Sequence, residues 1–328
     1  MSEGRRLLFT APRQVEVAPV DVSDCGPGEV MVRTMWSGIS TGTELLAYRG
    51  LLDAELPLDE TIGSLGGTFR YPFGYGYSCV GRVEDSGGSI APGTLVFVFH
   101  PHQDRFVVAE TDLVVLPANV DPRLATLFPL VETGLQLSLD AGPVARETVV
   151  VLGLGVVGVV TALMLQRSGT TVLGADPMAE RRATAETLGI SAVLPDELPA
   201  RVPEGGVPLL VELTGRPEAL ADGLDLLAHE GTALVGSWYG GRSATLPLGG
   251  AFHRRRLTIR ASQVSTIPAA QASRWDLGRR KQVAVELLEE LPLRALATTE
   301  FPFEDAAAAF AALDRREPGV FHVALRYG

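Results

Sequence analysis

The chain has 328 residues, 46% hydrophobic and 20% charged, with 36 glycines and 22 prolines. That length suggests two domains of about 150 residues each, and the composition is that of a folded, turn-rich protein, which excludes a disulfide-stapled miniprotein and a long disordered chain. With 28 basic against 39 acidic residues the formal charge is −11, which repels phosphate backbones and anionic lipid surfaces, so neither nucleic acid nor a membrane is an expected partner.

Two cysteines, Cys25 and Cys79, are too few for a framework of bridges or a four-thiolate zinc site, and two free thiols suit a reducing cytoplasm. Residues 1–6 run straight into a strand-like segment without the apolar core of a secretion signal, so a cytoplasmic location is expected. The most apolar stretch, 149–165, is broken by Gly153, Gly155 and Gly158 and is shorter than the roughly 18 uninterrupted apolar residues of a bilayer span. It reads as a buried strand and helix.

Up to about residue 120, short alternating segments are divided by glycine and proline: 7–9, 15–17, 29–36, 80–84, 95–99 and 106–108. This is the pattern of a β-rich, partly closed barrel, with turn chemistry in Asp24-Cys25-Gly26-Pro27-Gly28-Glu29 and Ala91-Pro92-Gly93-Thr94. From about 127 to 262, continuous apolar runs at 148–152, 171–175, 209–213 and 232–236 alternate with helical stretches. Such runs belong to βα units feeding a parallel sheet buried on both faces, which makes the class α/β. The tail is expected to hold helices over 279–290 and 304–313 and a last strand near 321–326, docking back on the first domain.

The strongest local signal is Val149-Val150-Val151-Leu152-Gly153-Leu154-Gly155-Val156-Val157-Gly158, a β-branched strand entering the spacing GxGxxG and then a helix through about Ser168. Gly153 permits the tight turn, Gly155 lets the backbone approach a pyrophosphate, and Gly158 lets helix pack on strand, while the helix N-terminus at Val156 and Val157 faces the anion. A second strand ends in Asp176, near the spacing of roughly 20 residues expected for a carboxylate that bonds an adenine ribose. A bare glycine-rich turn also occurs at ordinary strand–helix junctions; here strand, helix, second strand and terminal acid coincide. An acid at that place repels a 2'-phosphate, so NAD(H) is favoured over NADP(H). Arg181 and Arg182 keep NADP(H) open, as phosphate partners or as solvated surface charges.

The order of segments resembles the medium-chain dehydrogenases/reductases, the superfamily of the zinc-type alcohol dehydrogenases, over essentially the whole chain. It rests on Ser37-Gly38-Ile39-Ser40-Thr41-Gly42-Thr43-Glu44, then Gly76-Tyr77-Ser78-Cys79-Val80-Gly81-Arg82-Val83, then the nucleotide fold. Together with His100-Pro101-His102-Gln103 and Ser262-Gln263-Val264, the first segment is similar to a bacterial subgroup that includes relatives of bacteriochlorophyllide dehydrogenase. The resemblance implies a Rossmann doubly wound parallel sheet over 127–263 and a β-rich GroES-like catalytic domain from 1–126 and 264–328. It also implies a homodimer acting on a small-molecule substrate.

Matched to the zinc members, Ser40 stands where a cysteine ligand would be, Tyr77 where a histidine ligand would be, and the third ligand falls near Pro129. These are poor zinc ligands, and the lobe of four cysteines for structural zinc is missing, so the enzyme is expected to be metal-free. A site made from His100, His102 and Glu132 is the remaining metal alternative.

Without zinc, hydrogen-bond donors must stabilise the charge that develops on the substrate oxygen. Tyr77, Ser40 and Thr43 occupy the matched positions, and Tyr77 is assigned as the oxygen-polarising donor; the alternatives are a ring that fills vacated volume and hydroxyls that cap a turn. One of His100 and His102 is a candidate proton relay, the other reading being the satisfaction of buried backbone groups. Glu132 either holds a ribose or substrate hydroxyl beside Thr133 in the nicotinamide pocket or plays a buried hydrogen-bonding part.

Further cofactor contacts follow from topology, because ligands lie outside the carboxyl ends of such strands. These are Thr214, Gly215, Ser237 and Gln263, with Trp238 and Tyr239 as walls of the substrate pocket or as packing residues. The function read from the sequence is zinc-independent, NAD(P)(H)-dependent hydride transfer between nicotinamide and a secondary alcohol or ketone. The competing readings are an NADPH-dependent reductase of enones or quinones and a non-catalytic nucleotide-binding protein.

Overall fold

The computed structural model describes residues 2–297 and 299–328 and resolves them into two units, Met1–Pro129 with Val285–Gly328, and Leu130–Ala284. In the first unit, Ser2–Ala11 pairs antiparallel with Gln14–Val22 and with Phe73–Gly74. A seven-stranded sheet runs in the order Thr299–Pro302, Val323–Arg326, Glu29–Ile39, Cys79–Ser86, Leu95–Val98 and Leu113–Val115, with Arg105–Ala109 added to Glu29–Ile39. Alternation along these strands sends Leu7 and Phe9 into a core where Phe9 stacks on Phe73 and meets Phe310 edge-on. The last strand, Val323–Arg326, joins antiparallel to Glu29–Ile39, so the C-terminal return closes on the unit where the chain began.

The second unit is a six-stranded, wholly parallel sheet. Its order is Ser191–Val193, Thr171–Ala175, Thr148–Leu152, Val207–Glu212, Leu227–Val235 and Thr258–Ala261. Numbered along the chain this is 3-2-1-4-5-6, the doubly wound Rossmann order. Val149, Val150 and Val151 are wholly buried, as a strand covered on both faces requires, which is why the run reads as continuous rather than alternating.

Residues 264–284, expected with the β-rich part, fall in the second unit. The physical reason is Arg280 on the helix Leu277–Glu290. It is 3% exposed and reaches Glu132 Oε1 at 3.1 Å, Gln136 Oε1 at 2.5 Å and the Val264 carbonyl at 2.6 Å, tying this stretch to the nucleotide unit.

Candidate active site

In the second unit the turn after Thr148–Leu152 is built as its glycines demand. Gly153 has φ +91°, and a Cβ on Gly158 would sit 1.9 Å from the Gly153 carbonyl oxygen, so neither accepts a side chain. Gly155 differs: a Cβ there would meet only an Arg181 guanidinium nitrogen at 3.9 Å. The open side of Gly155 is where backbone can approach an anion, and Val156 and Val157 begin the helix Val156–Arg167, whose first N–H groups lack intrahelical acceptors.

Asp176 follows the strand Thr171–Ala175 and is 2% exposed. Its carboxylate accepts the Leu154 N–H at 2.9 Å and the Met178 N–H at 2.8 Å, and Arg181 approaches it at 3.4 Å. The acid therefore first ties the glycine turn to the neighbouring strand, and Arg181 offsets part of its charge where a ribose would lie.

The next strand ends bring Thr214, Gly215 and Ser237 together. The Gly215 N–H donates to Ser237 Oγ at 2.9 Å. Beneath them lies Glu212, wholly buried, which sequence reasoning missed although a carboxylate inside the apolar run 209–213 was a visible signal. It accepts the Thr214 N–H at 2.7 Å, the Thr214 hydroxyl, and the Tyr239 hydroxyl at 2.6 Å. Burial, and then Glu212, push the Tyr239 phenol up. Tyr239 is thus anchored by Glu212 through its hydroxyl, and Trp238 is 44% exposed. Gln263 is exposed and turns its side-chain oxygen to the Ser265 N–H of its own loop. Thr133 is half-buried on the helix Phe128–Ala141.

Glu132, on the same helix, takes the second of its two expected roles. It is 3% exposed and its Oε1 is spent on Arg280; burial raises its pKa and the guanidinium draws it back. A buried carboxylate needs such a partner, and Arg280 gives Glu132 one through Oε1. Arg280 left no trace in the sequence pattern.

In the first unit Ser40, Thr43 and Tyr77 do come together. The Ser40 and Thr43 hydroxyls face the phenol of Tyr77. Burial and the nearby Glu44 push the Tyr77 pKa up to about 12, while the two hydroxyls pull it back. The phenol is therefore protonated at ordinary pH and offers a hydrogen.

The two histidines diverge, as a proline between them requires. His100 stacks on Phe106 with centroids 3.7 Å apart, its Nδ1 lies 2.9 Å from the Pro101 oxygen, and burial lowers its pKa to about 4. A ring so placed packs rather than relays. His102 is wholly buried, with Nε2 2.8 Å from Glu44 Oε2 and Nδ1 2.7 Å from Ser37 Oγ. Glu44 was legible only as the end of a motif.

The residues do not fit zinc. Ser40 and Tyr77 offer neutral hydroxyls, Pro129 offers no donor, and His102 and Glu44 spend their donor atoms on each other. Among the described residues no group of three His, Cys, Asp or Glu stands close enough to hold a metal ion. Nor is any described helix long and apolar enough to cross a membrane.

No family model matches the chain. It is 28% identical over 201 residues to the 2-desacetyl-2-hydroxyethyl bacteriochlorophyllide A dehydrogenase of Cereibacter sphaeroides, covering 55% of this chain and 58% of that protein. It is 26% identical over 277 residues to the L-threonine 3-dehydrogenase of Pyrococcus furiosus, covering 71% of this chain and 76% of that one. The chain thus spans little more than half the length of the first of these relatives. In fold it matches a structure described as a short chain alcohol dehydrogenase from E. coli CFT073 complexed with NADH, with TM-score 0.80 and 16% identity over 99% of this chain and 100% of that one. The sequence relatives are thus dehydrogenases and the neighbours share the two-part α/β fold, which bears out the resemblance read from the sequence.

Proposed function

We propose that the chain is a zinc-independent, NAD(P)(H)-dependent oxidoreductase that moves hydride between nicotinamide and the carbinol carbon of a secondary alcohol or ketone. One observation carries the reading: the open Gly155 turn, bounded by Gly153 and Gly158 and tied to Asp176, stands at the strand ends of a 3-2-1-4-5-6 parallel sheet. Gly155, Val156 and Val157 would hold the pyrophosphate, and Asp176 with Arg181 the adenine ribose. Thr214, Gly215 and Ser237 are the candidates for the nicotinamide half.

The bound nucleotide supplies or accepts the hydride. The chain's part is to hold the substrate oxygen. In reduction the new C–H bond forms as the C=O π bond breaks, and the oxygen takes its proton from Tyr77, which water then reprotonates. An alkoxide is a far stronger base than a phenolate, so the transfer runs downhill even with the Tyr77 pKa near 12. Ser40 and Thr43 steady the phenolate formed in passing. NAD(H) is the favoured nucleotide because Asp176 opposes a 2'-phosphate; Arg181 beside it supports weaker use of NADP(H). The exposed edge strand Thr258–Ala261 supports a homodimer, which light scattering tests.

The experiment is a titration of purified protein with NADH and NADPH, metal analysis of the same sample, and turnover of a panel of secondary alcohols, ketones and enones. Tyr77→Phe is expected to lower kcat by roughly 100- to 1,000-fold, the cost of removing one preorganised donor. Full activity in that variant removes the assigned donor, and one equivalent of bound zinc overturns the mechanism. NADPH-driven enone reduction without alcohol oxidation assigns the protein to double-bond reduction. Tight nucleotide binding without turnover assigns it to a non-catalytic role.

A further inference from the structure

Behind Tyr77 the first unit contains a buried line of polar groups drawn from distant parts of the chain. Ser37, Glu44 and His102 are wholly buried, and Tyr327 is 8% exposed. The Ser40 N–H donates to Glu44 Oε1 at 2.8 Å, Glu44 Oε2 lies 2.8 Å from His102 Nε2, His102 Nδ1 lies 2.7 Å from Ser37 Oγ, and Ser37 Oγ lies 2.9 Å from the Tyr327 hydroxyl. Each distance admits either direction of donation, except the backbone one.

The protons can nevertheless be placed by counting. Tyr327 carries one hydroxyl hydrogen and has Ser37 as its partner, and buried hydroxyls donate where they can. Tyr327 therefore donates to Ser37, and the single Ser37 hydrogen is left for His102 Nδ1. A nitrogen that accepts carries no hydrogen, so the ring hydrogen sits on Nε2 and points at Glu44. Both Glu44 oxygens are then acceptors, one from Ser40 and one from His102, with no acceptor placed for a carboxylic hydrogen. The opposite choice, an imidazolium, turns Ser37 toward Tyr327 and strands the Tyr327 hydrogen in the interior.

We infer that Glu44 and His102 are positioning residues for Tyr77: a neutral His102, oriented by Ser37 and Tyr327, delivers its Nε2 hydrogen to a Glu44 carboxylate, which fixes the Ser40 turn and holds the Tyr77 hydroxyl in its hydrogen-donating form. This rests on the reading of Tyr77 as the oxygen-polarising donor and assigns its supporting machinery. The charged groups that act on Tyr77 are Glu44 and Asp59, both acidic; Ser40 and Thr43 contribute hydroxyls, and Tyr75 packs edge-on with centroids 6.3 Å apart. Acidic neighbours favour the neutral phenol. Glu44 also lies in the first turn of the helix Thr43–Tyr48, where a carboxylate is favoured.

The test reads the wild-type protein first, by long-range 15N–1H spectra of assigned histidine rings. His102 is expected as the neutral Nε2–H tautomer; a doubly protonated ring or an Nδ1–H tautomer overturns the inference. In Glu44→Gln the carbonyl oxygen takes the Ser40 N–H and the amide donates to Nε2, so the tautomer is expected to flip to Nδ1–H and the 13Cζ signal of Tyr77 to move. Should that variant fail to fold, Tyr327→Phe removes only the outermost hydroxyl, which frees Ser37 to accept from the ring instead; His102 is expected to sample a second protonation form and the Tyr77 signal to follow. An unmoved Tyr77 signal in whichever variant folds overturns the link to Tyr77.

These readouts need no substrate, so a failed carbonyl panel removes the hydride-transfer reading and leaves the tautomer result standing by itself. On any substrate the panel yields, Glu44→Gln is expected to lower kcat about tenfold with the dissociation constant for NADH unchanged.

Discussion

The two units build their candidate sites in opposite ways. In the Rossmann unit, turn, helix start and acid all arise from one continuous stretch, Thr148 to Asp176, and backbone does most of the work: glycines clear space and N–H groups face outward. In the first unit the candidate catalytic groups are side chains brought together from positions 37, 40, 44, 77, 102 and 327, and a buried carboxylate and imidazole hold them in place. A backbone site tolerates change wherever there is room. A side-chain site built on buried charge should not.

That contrast can be broken by measurement. Glu44→Ala leaves two buried donors, the His102 ring N–H and the Ser40 N–H, without an acceptor at about 1–3 kcal/mol each, read in a urea melt; a loss smaller than that of Gly158→Ala would reverse the comparison. The next effect is one of pH. His322 is 1% exposed, burial lowers its pKa to about 4, and its Nδ1 has no hydrogen-bond partner among the described residues. The unfolded chain takes up this proton near pH 6.5 and the folded chain does not, so the stabilisation is complete above pH 6.5 and falls away toward pH 4. Its loss is on the order of 3 kcal/mol, and His322→Asn should flatten that limb of stability against pH.

Gly158→Ala forces a methyl onto the Gly153 carbonyl and is expected to cost about 1–3 kcal/mol and most nucleotide binding, read by thermal melt and NADH fluorescence. Gly155→Ala is the sharper variant. With nothing closer than 3.9 Å to meet the methyl, the melt should stay within about 0.5 kcal/mol of the parent while NADH affinity falls. Smallest is Arg181→Ala, on a partly exposed pair, expected to shift stability by less than about 1 kcal/mol and to raise the preference for NADH over NADPH.

Legibility in the sequence followed the same division. The strand Thr148–Leu152, the helix Val156–Arg167 and Asp176 lie within a residue or so of where apolar pattern and glycine spacing put them, because their physics is local. Which of its two parts Glu132 plays was left open by the sequence because its partner, Arg280, is 148 positions away and leaves no periodic signal. The anchor of the Tyr239 hydroxyl was not legible because Glu212, which accepts from it, was hidden in an apolar run. The pairing of His102 with Glu44 spans 58 positions and could not be read from either motif alone.

What the sequence determined by itself was therefore the α/β class, the glycine-spaced strand–helix turn and the acid that follows the next strand, each set by residue type at short spacing. Only the tertiary structure decided which carboxylates have buried partners, which histidine packs on an aromatic ring and which lies between a carboxylate and a serine hydroxyl. Those outcomes depend on removing charged groups from water beside one particular partner, and that partner is chosen by folding, not by neighbourhood in the chain.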